Sequence, residues 1–175
     1  LVGVLCGFIN ILAGSGSLIS LPILMGFGLS PHVANATNRI GILLQNLVGS
    51  ASFAKQKVLP VREGLVLAIP ASIGSIVGAY MAVDAHEDVI RWMILCLYAV
   101  MFFLVFYGPN KWLRPKSDQP LRLRPRDIII FTAIGFYGGF IQAGLGYFLL
   151  AGLVLSIGND LITANALKVF LAFVL

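Results

Sequence analysis

Charge is scarce in three stretches of about twenty residues, 33–54, 64–83 and 89–107, and crowded into the short segments around them. About 20 largely apolar residues are what a helix needs to cross a bilayer. Composition points the same way. Of 175 residues, 59% are hydrophobic and 11% charged, against about 45–50% and 25% in soluble domains. These figures exclude disorder, coiled coil, collagen and a disulfide scaffold. The expected fold class is all-α, a polytopic transmembrane helix bundle.

The net charge of +5 does not indicate a nucleic-acid partner. Nine of the 12 basic residues lie in 55–62 and 111–126, between apolar runs and without interleaved aromatics on an exposed face. By the positive-inside bias, the 55–62 and 108–127 loops are expected to be cytoplasmic and the acidic 84–88 loop external. The expected location is the cell (inner) membrane, crossed several times. Trp92 and Tyr107 sit near the two ends of one run, as interface anchors do. Gly74 and Gly78 are spaced for close helix packing. Cys6 and Cys96 read as buried small hydrophobes, and His32 and His86 as isolated loop residues. No metal-ligand spacing, P-loop, CxxC or Ser/His/Asp set occurs. Neither a cofactor nor a metal is expected, and the chain is not expected to be an enzyme.

Residues 1–29 are different. An apolar run reaches Ala13, Gly14-Ser15-Gly16-Ser17 interrupts it, and a second piece containing Pro22 follows. Each piece is too short to span comfortably. A Gly-rich break at membrane depth is tolerated only where protein or a water-filled cavity covers the backbone. The expectation is a hairpin of two short helices meeting at a broken tip. The apolar C-terminal end suggests a fragment of a longer protein, cut inside a helix.

The second half repeats the first at an offset of 130. Ala13-Gly14-Ser15-Gly16 falls on Ala143-Gly144-Leu145-Gly146, Gly28 on Gly158, and Ala34-Asn35-Ala36 on Ala164-Asn165-Ala166. The expected organisation is a first repeat over 1–107 (hairpin 1–29, helices 33–54, 64–83 and 89–107), a basic cytoplasmic linker over 108–127, and the start of a second repeat over 128–175. With a hairpin at 1–29, three crossings separate the Ala-Asn-Ala copies, so the second copy enters the membrane inverted. Inverted repeats with interrupted helices are the pattern of secondary transporters, whose substrate sites lie at the repeat interface.

The segments GFINILAGSGSLISLPIL, LSPHVANATNRIGILLQNLVGSASF and GFYGGFIQAGLGYFLLAGLVL…NDLITANALKVF resemble the TauE/SafE family of bacterial membrane transporters. The resemblance implies two repeats in a longer chain, with most of the remainder beyond Leu175. It alone implies outward movement and a preference for sulfite or sulfur-containing organic acids.

An ionisable residue inside a span is costly and is a functional hypothesis by default. Arg39 and Lys168 are two such residues, and no carboxylate lies within an expected core. An anion is the simplest partner for them; the alternatives are snorkelling to opposite interfaces and, for Lys168, pairing with a carboxylate beyond Leu175. Asn35 and Arg39 share a helix face, beside a stripe of Asn38, Gln45, Gly49 and Ser52 that must face protein or water. Asn165 and Lys168 share a face in the second copy. The tips Gly14, Ser15, Gly16, Ser17 and Gly144, Gly146 offer N–H and hydroxyl donors, and Gln142 adds an amide. The expected substrate-binding set is therefore Gly14, Ser15, Gly16, Ser17, Asn35, Asn38, Arg39, Gln142, Gly144, Gly146, Asn165 and Lys168. The expected partners are a small anion and lipid, with homo-oligomerisation left open. The alternatives to a secondary transporter are a membrane scaffold that docks a cytoplasmic partner on the basic loop, and an anion channel.

Overall fold

The computed structural model describes residues 2–14, 16–106 and 124–175. Among them are eight α-helices and no strand: α1 (Val2–Ala13), α2 (Ser17–Gly26), α3 (Pro31–Lys55), α4 (Val61–Val83), α5 (Glu87–Phe106), α6 (Pro125–Phe140), α7 (Leu145–Ala151), which continues as a π-helical turn (Gly152–Ile157), and α8 (Leu161–Val174). The all-α expectation holds. Helices occupy the three expected runs. Ser15, Tyr107 and the basic segment through residue 123, including Lys111, Arg114, Lys116 and Arg122, lie outside the described residues. Residues 125–127 at the end of the expected linker form the first turn of α6, where the Arg124 N–H donates to Asp127 Oδ2 at 2.9 Å.

The interruption after Ala13 is a sharp reversal. Gly14 has φ +74°, a left-handed conformation that favours glycine. Gly16 then lies so close to α1 that a Cβ would collide with the Cys6 carbonyl. Thus α2 folds back on α1 as a hairpin. In the second half, α6 stops at Phe140, Ile141 is extended, and Gly144 (φ +66°) starts α7.

The 130-residue offset is visible in the backbone. The four described glycines with positive φ form two pairs at that offset, Gly14 with Gly144 and Gly28 (φ +89°) with Gly158 (φ +91°). The helices that follow start at Pro31 and Leu161. Their N-caps, Ser30 and Asp160, are equivalent positions, and each accepts from backbone N–H groups of the first turn.

The closest helix pair is α4 against α6. Cβ atoms on Gly74 and Gly78 would strike the carbonyls of Thr132 and Phe136, and Cβ atoms on Gly135 and Gly139 would strike those of Ala71 and Ser75. The two backbones touch through small residues spaced by four on both helices. Two apolar clusters flank this seam. One joins Leu67, Ala71, Phe131, Leu149, Leu167 and Leu171. The other joins Leu21, Ala34, Ile90, Ile94, Phe140 and Ile141.

Helix α3 is polar inside and apolar outside. Asn35, Asn38, Asn46, Gly49 and Ser50 are buried, while Ile40, Leu43, Leu44, Leu47 and Val48 are exposed. That is the reverse of a water-facing helix, and it suits lipid outside. Among the described residues, only α4 is long and apolar enough overall to qualify as a span, with mean hydropathy 1.9. Helix α3 is 25 residues long, about 37 Å at 1.5 Å per residue, but its buried amides lower its average. Two sequence readings need correction. Cys96 is exposed rather than buried, on the same outward part of α5 as Trp92 and Leu95. His32 lies in the first turn of α3, with Nε2 3.0 Å from the Ala85 carbonyl, rather than in a loop.

Gly139→Val should lower the unfolding temperature of the full-length protein in detergent by about 5 °C or more, because the new side chain meets the α4 backbone. Gly41→Ala, which puts a methyl where nothing lies within 4 Å, should leave it unchanged or raise it.

Candidate functional site

The buried face of α3 follows helical geometry. Asn35 and Asn46 are eleven residues apart, about three turns, so they project in nearly the same direction. Asn38 and Ile42 fall between them, and Ser50 continues the line. Of the sequence stripe, Asn38 and Gly49 are buried and Gln45 is half-buried against α1, and Ser52 departs from it. Ser52 is exposed, and it accepts from Gln56 Nε2 at 3.2 Å.

This face borders a groove of about 510 Å³ among α1, α2 and α3. Its polar lining is neutral: Asn10, Ser17, Ser20, Thr37, Asn38 and Gln45. Gln45 donates to the Gly7 carbonyl at 2.6 Å and accepts from Asn10 Nδ2 at 3.3 Å. Ser20 Oγ donates to Asn38 Oδ1 at 2.6 Å. Asn38 Nδ2 has no partner. A bare buried amide is costly, so an acceptor in the groove would be favourable there.

The two cations lie at helix ends. Arg39, half-buried on α3, donates from one guanidinium nitrogen to the Gly138 carbonyl at 3.3 Å and also to the Gly139 carbonyl. Asn35 donates to the Phe140 carbonyl at 3.4 Å. Those three carbonyls belong to the last turn of α6, whose own helix supplies no donor for them. Lys168, 2% exposed on α8, does the same for α1. Its Nζ donates to the Ile11 carbonyl at 2.8 Å and the Asn10 carbonyl at 3.4 Å. Each cation also meets the negative end of a helix dipole. The arrangement is reciprocal: a first-half side chain holds the broken helix of the second half, and a second-half side chain holds that of the first.

Between these latches the glycine turns cross. A Cβ on Gly14 would come within 2.5 Å of Gly146, and one on Gly146 within 2.5 Å of Gly14. The Gly144 N–H donates to Ser17 Oγ at 3.0 Å, so a donor expected to face a ligand is taken by the opposite turn. Beside the crossing is a void of about 10 Å³, room for one water. Lys168, Asn46 and Gln142 all border it. Asn46 Nδ2 and Gln142 Oε1 are buried without partners.

The expected site residues thus separate into groups. Gly16, Ser17 and Asn38 line the groove; Gly14, Gly146, Gln142 and Lys168 line the void; Asn35 and Arg39 hold the end of α6. Gly144 pairs with Ser17. Asn165, whose Oδ1 is buried without a partner, borders neither cavity. Ser15 lies outside the described residues. Asn10, Ser20, Thr37 and Asn46 were not in the expected set. The eleven-residue spacing from Asn35 pointed to Asn46. Asn10 had a weaker signal, as a lone amide in the last turn of an apolar helix. Among the described residues, no group of three or more His, Cys, Asp or Glu is placed to hold a metal.

The family model described as Sulfite exporter TauE/SafE matches residues 1–175. A protein of Escherichia coli K12 named as the probable membrane transporter protein YfcA is 31% identical over 170 residues, covering 94% of this chain and 61% of that protein. A Sinorhizobium protein named as the probable membrane transporter protein ORF9 is 28% identical over 174 residues, covering 97% of this chain and 64% of that one. A Haemophilus influenzae probable membrane transporter protein is 25% identical over 165 residues, covering 94% and 64%. The chain therefore spans a little over three-fifths of the length of these relatives. No solved structure matches it.

Arg39→Met would leave the Gly138 and Gly139 carbonyls bare. It should destabilise the full-length protein by about 2–3 kcal/mol, the scale of hydrogen bonds to a charged group, read as an earlier thermal transition. An unchanged transition would remove Arg39 from the support of α6.

Proposed function

The chain belongs to the sulfite exporter TauE/SafE family, and from that premise we propose that it forms the core of a secondary transporter for small anions, an exporter of sulfite or sulfur-containing organic acids from the cell across the inner membrane. The observation that carries the reading is the inside-out character of α3: buried amides facing α1, α2 and α8, and aliphatic side chains turned outward. Lipid on the outside and a cavity with amide and hydroxyl groups in its wall on the inside account for both faces at once.

In this reading the anion sits in the α1–α2–α3 groove. Hydroxyl and amide groups of Ser17, Ser20 and Asn38 contact it, and Asn38 Nδ2 is the donor waiting for it. Arg39 and Lys168 do not touch the anion. They keep the broken helices in place and add positive charge to the region, which offsets the cost of holding a negative solute away from water. The two halves work as inverted repeats, with the 1–29 hairpin and its counterpart moving against the long helices. Loops 55–62 and 108–127 face the cytoplasm. The solute crosses without chemical change.

The test uses the full-length protein in proteoliposomes, with flux of labelled sulfite, sulfoacetate and sulfate recorded separately. Asn38→Asp keeps the oxygen that Ser20 bonds but puts a negative charge in the groove. It should reduce flux of the transported anion by roughly tenfold or more, a like-charge penalty of about 1.4 kcal/mol or above. Full flux in that variant, or no flux of any of the anions by the wild type, would contradict the proposal.

A further inference from the structure

The reciprocal latches differ in one respect that the transport reading does not use. Arg39 holds α6 with a guanidinium, which stays charged in proteins at any ordinary pH. Lys168 holds α1 with an ammonium, which can lose a proton. It is 2% exposed, and the Asn10 and Ile11 carbonyls that it bonds are neutral. We propose that Lys168 is the proton-binding site of the transporter: protonated, it clasps the last turn of α1, and deprotonated, it lets that turn go. The proposal rests on the transport reading and adds a coupling ion to it.

The surroundings of Lys168 suit that role. The void beside it is walled by Asn10, Gly14, Ile42, Asn46, Gln142 and Gly146 among others, and none of its walls apart from Lys168 is titratable. Titratable and charged groups on the elements packed around it lie elsewhere. On α1, Cys6 lines the groove. On α3, Arg39 is turned to Gly138 and Gly139, His32 bonds Ala85, and Lys55 ends the helix. On α4, Arg62 and Glu63 are in the first turn and Tyr80 is exposed. On α7, Tyr147 stacks edge-on against Phe148. On α8 itself, Asp160 caps the start of the helix, about two turns before Lys168. Among the described residues no carboxylate borders the ammonium, and the hydrogen bonds of its own proton-bearing form hold it there.

The Nζ–H bond breaks, the electron pair stays on nitrogen, and the proton passes to a water admitted by the void. Asn46 Nδ2 and Gln142 Oε1, both buried and unpartnered, are placed to donate to that water and to accept from it. The neutral amine left behind bonds carbonyls about half as strongly as the ammonium. The consequence reaches the groove directly, because Asn10 and Ile42 line both the void and the groove. Loosening the Asn10–Ile11 turn changes the wall that holds the anion. Protonation closes that wall and deprotonation frees it.

Hydrogen–deuterium exchange of the full-length protein in lipid nanodiscs tests this from about pH 6 to about pH 10, with intrinsic exchange corrected. In the wild type, protection of the peptide covering residues 6–16 should fall roughly tenfold across one transition in that range. Lys168→Arg should keep protection throughout, and Lys168→Gln should lack it even at low pH. A flat wild-type profile, or the same transition in Lys168→Arg, overturns the proposal. Where Lys168→Arg does not reconstitute, nitrogen-15 spectra of lysine-labelled wild type decide: one Nζ signal titrating with the protection loss supports the site, and none overturns it. Anion flux in the same preparations separates the two readings. Flux without the pH transition rejects the proton site alone. A transition without flux of any tested anion rejects the transport reading and takes the coupling role with it.

Discussion

A helix that stops inside a membrane leaves its last carbonyls without water to bond. Among the described residues, α1 ends at Ala13 and α6 at Phe140, and in the transport reading both ends lie at membrane depth. Everything else is arranged around closing them. Main-chain bonds close part of each end: the Gly14 N–H donates to the Asn10 carbonyl at 2.8 Å, and the Ile141 N–H to the Tyr137 carbonyl at 2.7 Å. The rest falls to Lys168 on Ile11, and to Arg39 and Asn35 on Gly138, Gly139 and Phe140. A buried cation without a counter-charge is expensive. A bare carbonyl in hydrocarbon is also expensive. Placing the first on the second reduces both costs and fastens one half of the chain to the other.

The close approaches serve the same end. The seam between α4 and α6 needs glycine because each backbone rests on the other's carbonyls. The crossing of Gly14 and Gly146 needs glycine for a different reason: two turns meet where a Cβ on either would strike the other. Large side chains at these places would push the halves apart, and Lys168 would no longer reach Ile11. Small residues set the distance, and the cations then hold it.

Much of this organisation was legible in the sequence. The Gly-x-Gly and Ala-Asn-Ala pairs at an offset of 130 marked the places where the backbone repeats its left-handed turns and helix starts. Arg39 and Lys168 were legible as cations in apolar helices. Their partners were not, because a main-chain carbonyl 99 to 158 residues away leaves no mark in a side-chain pattern. The polar stripe was legible at Asn38, Gln45 and Gly49 but not at Ser52, which is exposed. Gln45 and Asn46 are adjacent amides that both turn inward, Gln45 to α1 and Asn46 to the void, and only packing shows where each one goes. The void beside Lys168 had no sequence signature, since it exists only where two distant turns cross.

The most direct measurement is a cryo-electron microscopy map of the full-length protein in a lipid nanodisc, at a resolution that shows lysine and arginine side chains. The account expects Lys168 Nζ on the Ile11 carbonyl and the Arg39 guanidinium on the Gly138–Gly139 carbonyls, with the outward face of α3 against lipid. Either cation among the headgroups, or either one paired with a carboxylate from beyond residue 175, would contradict it.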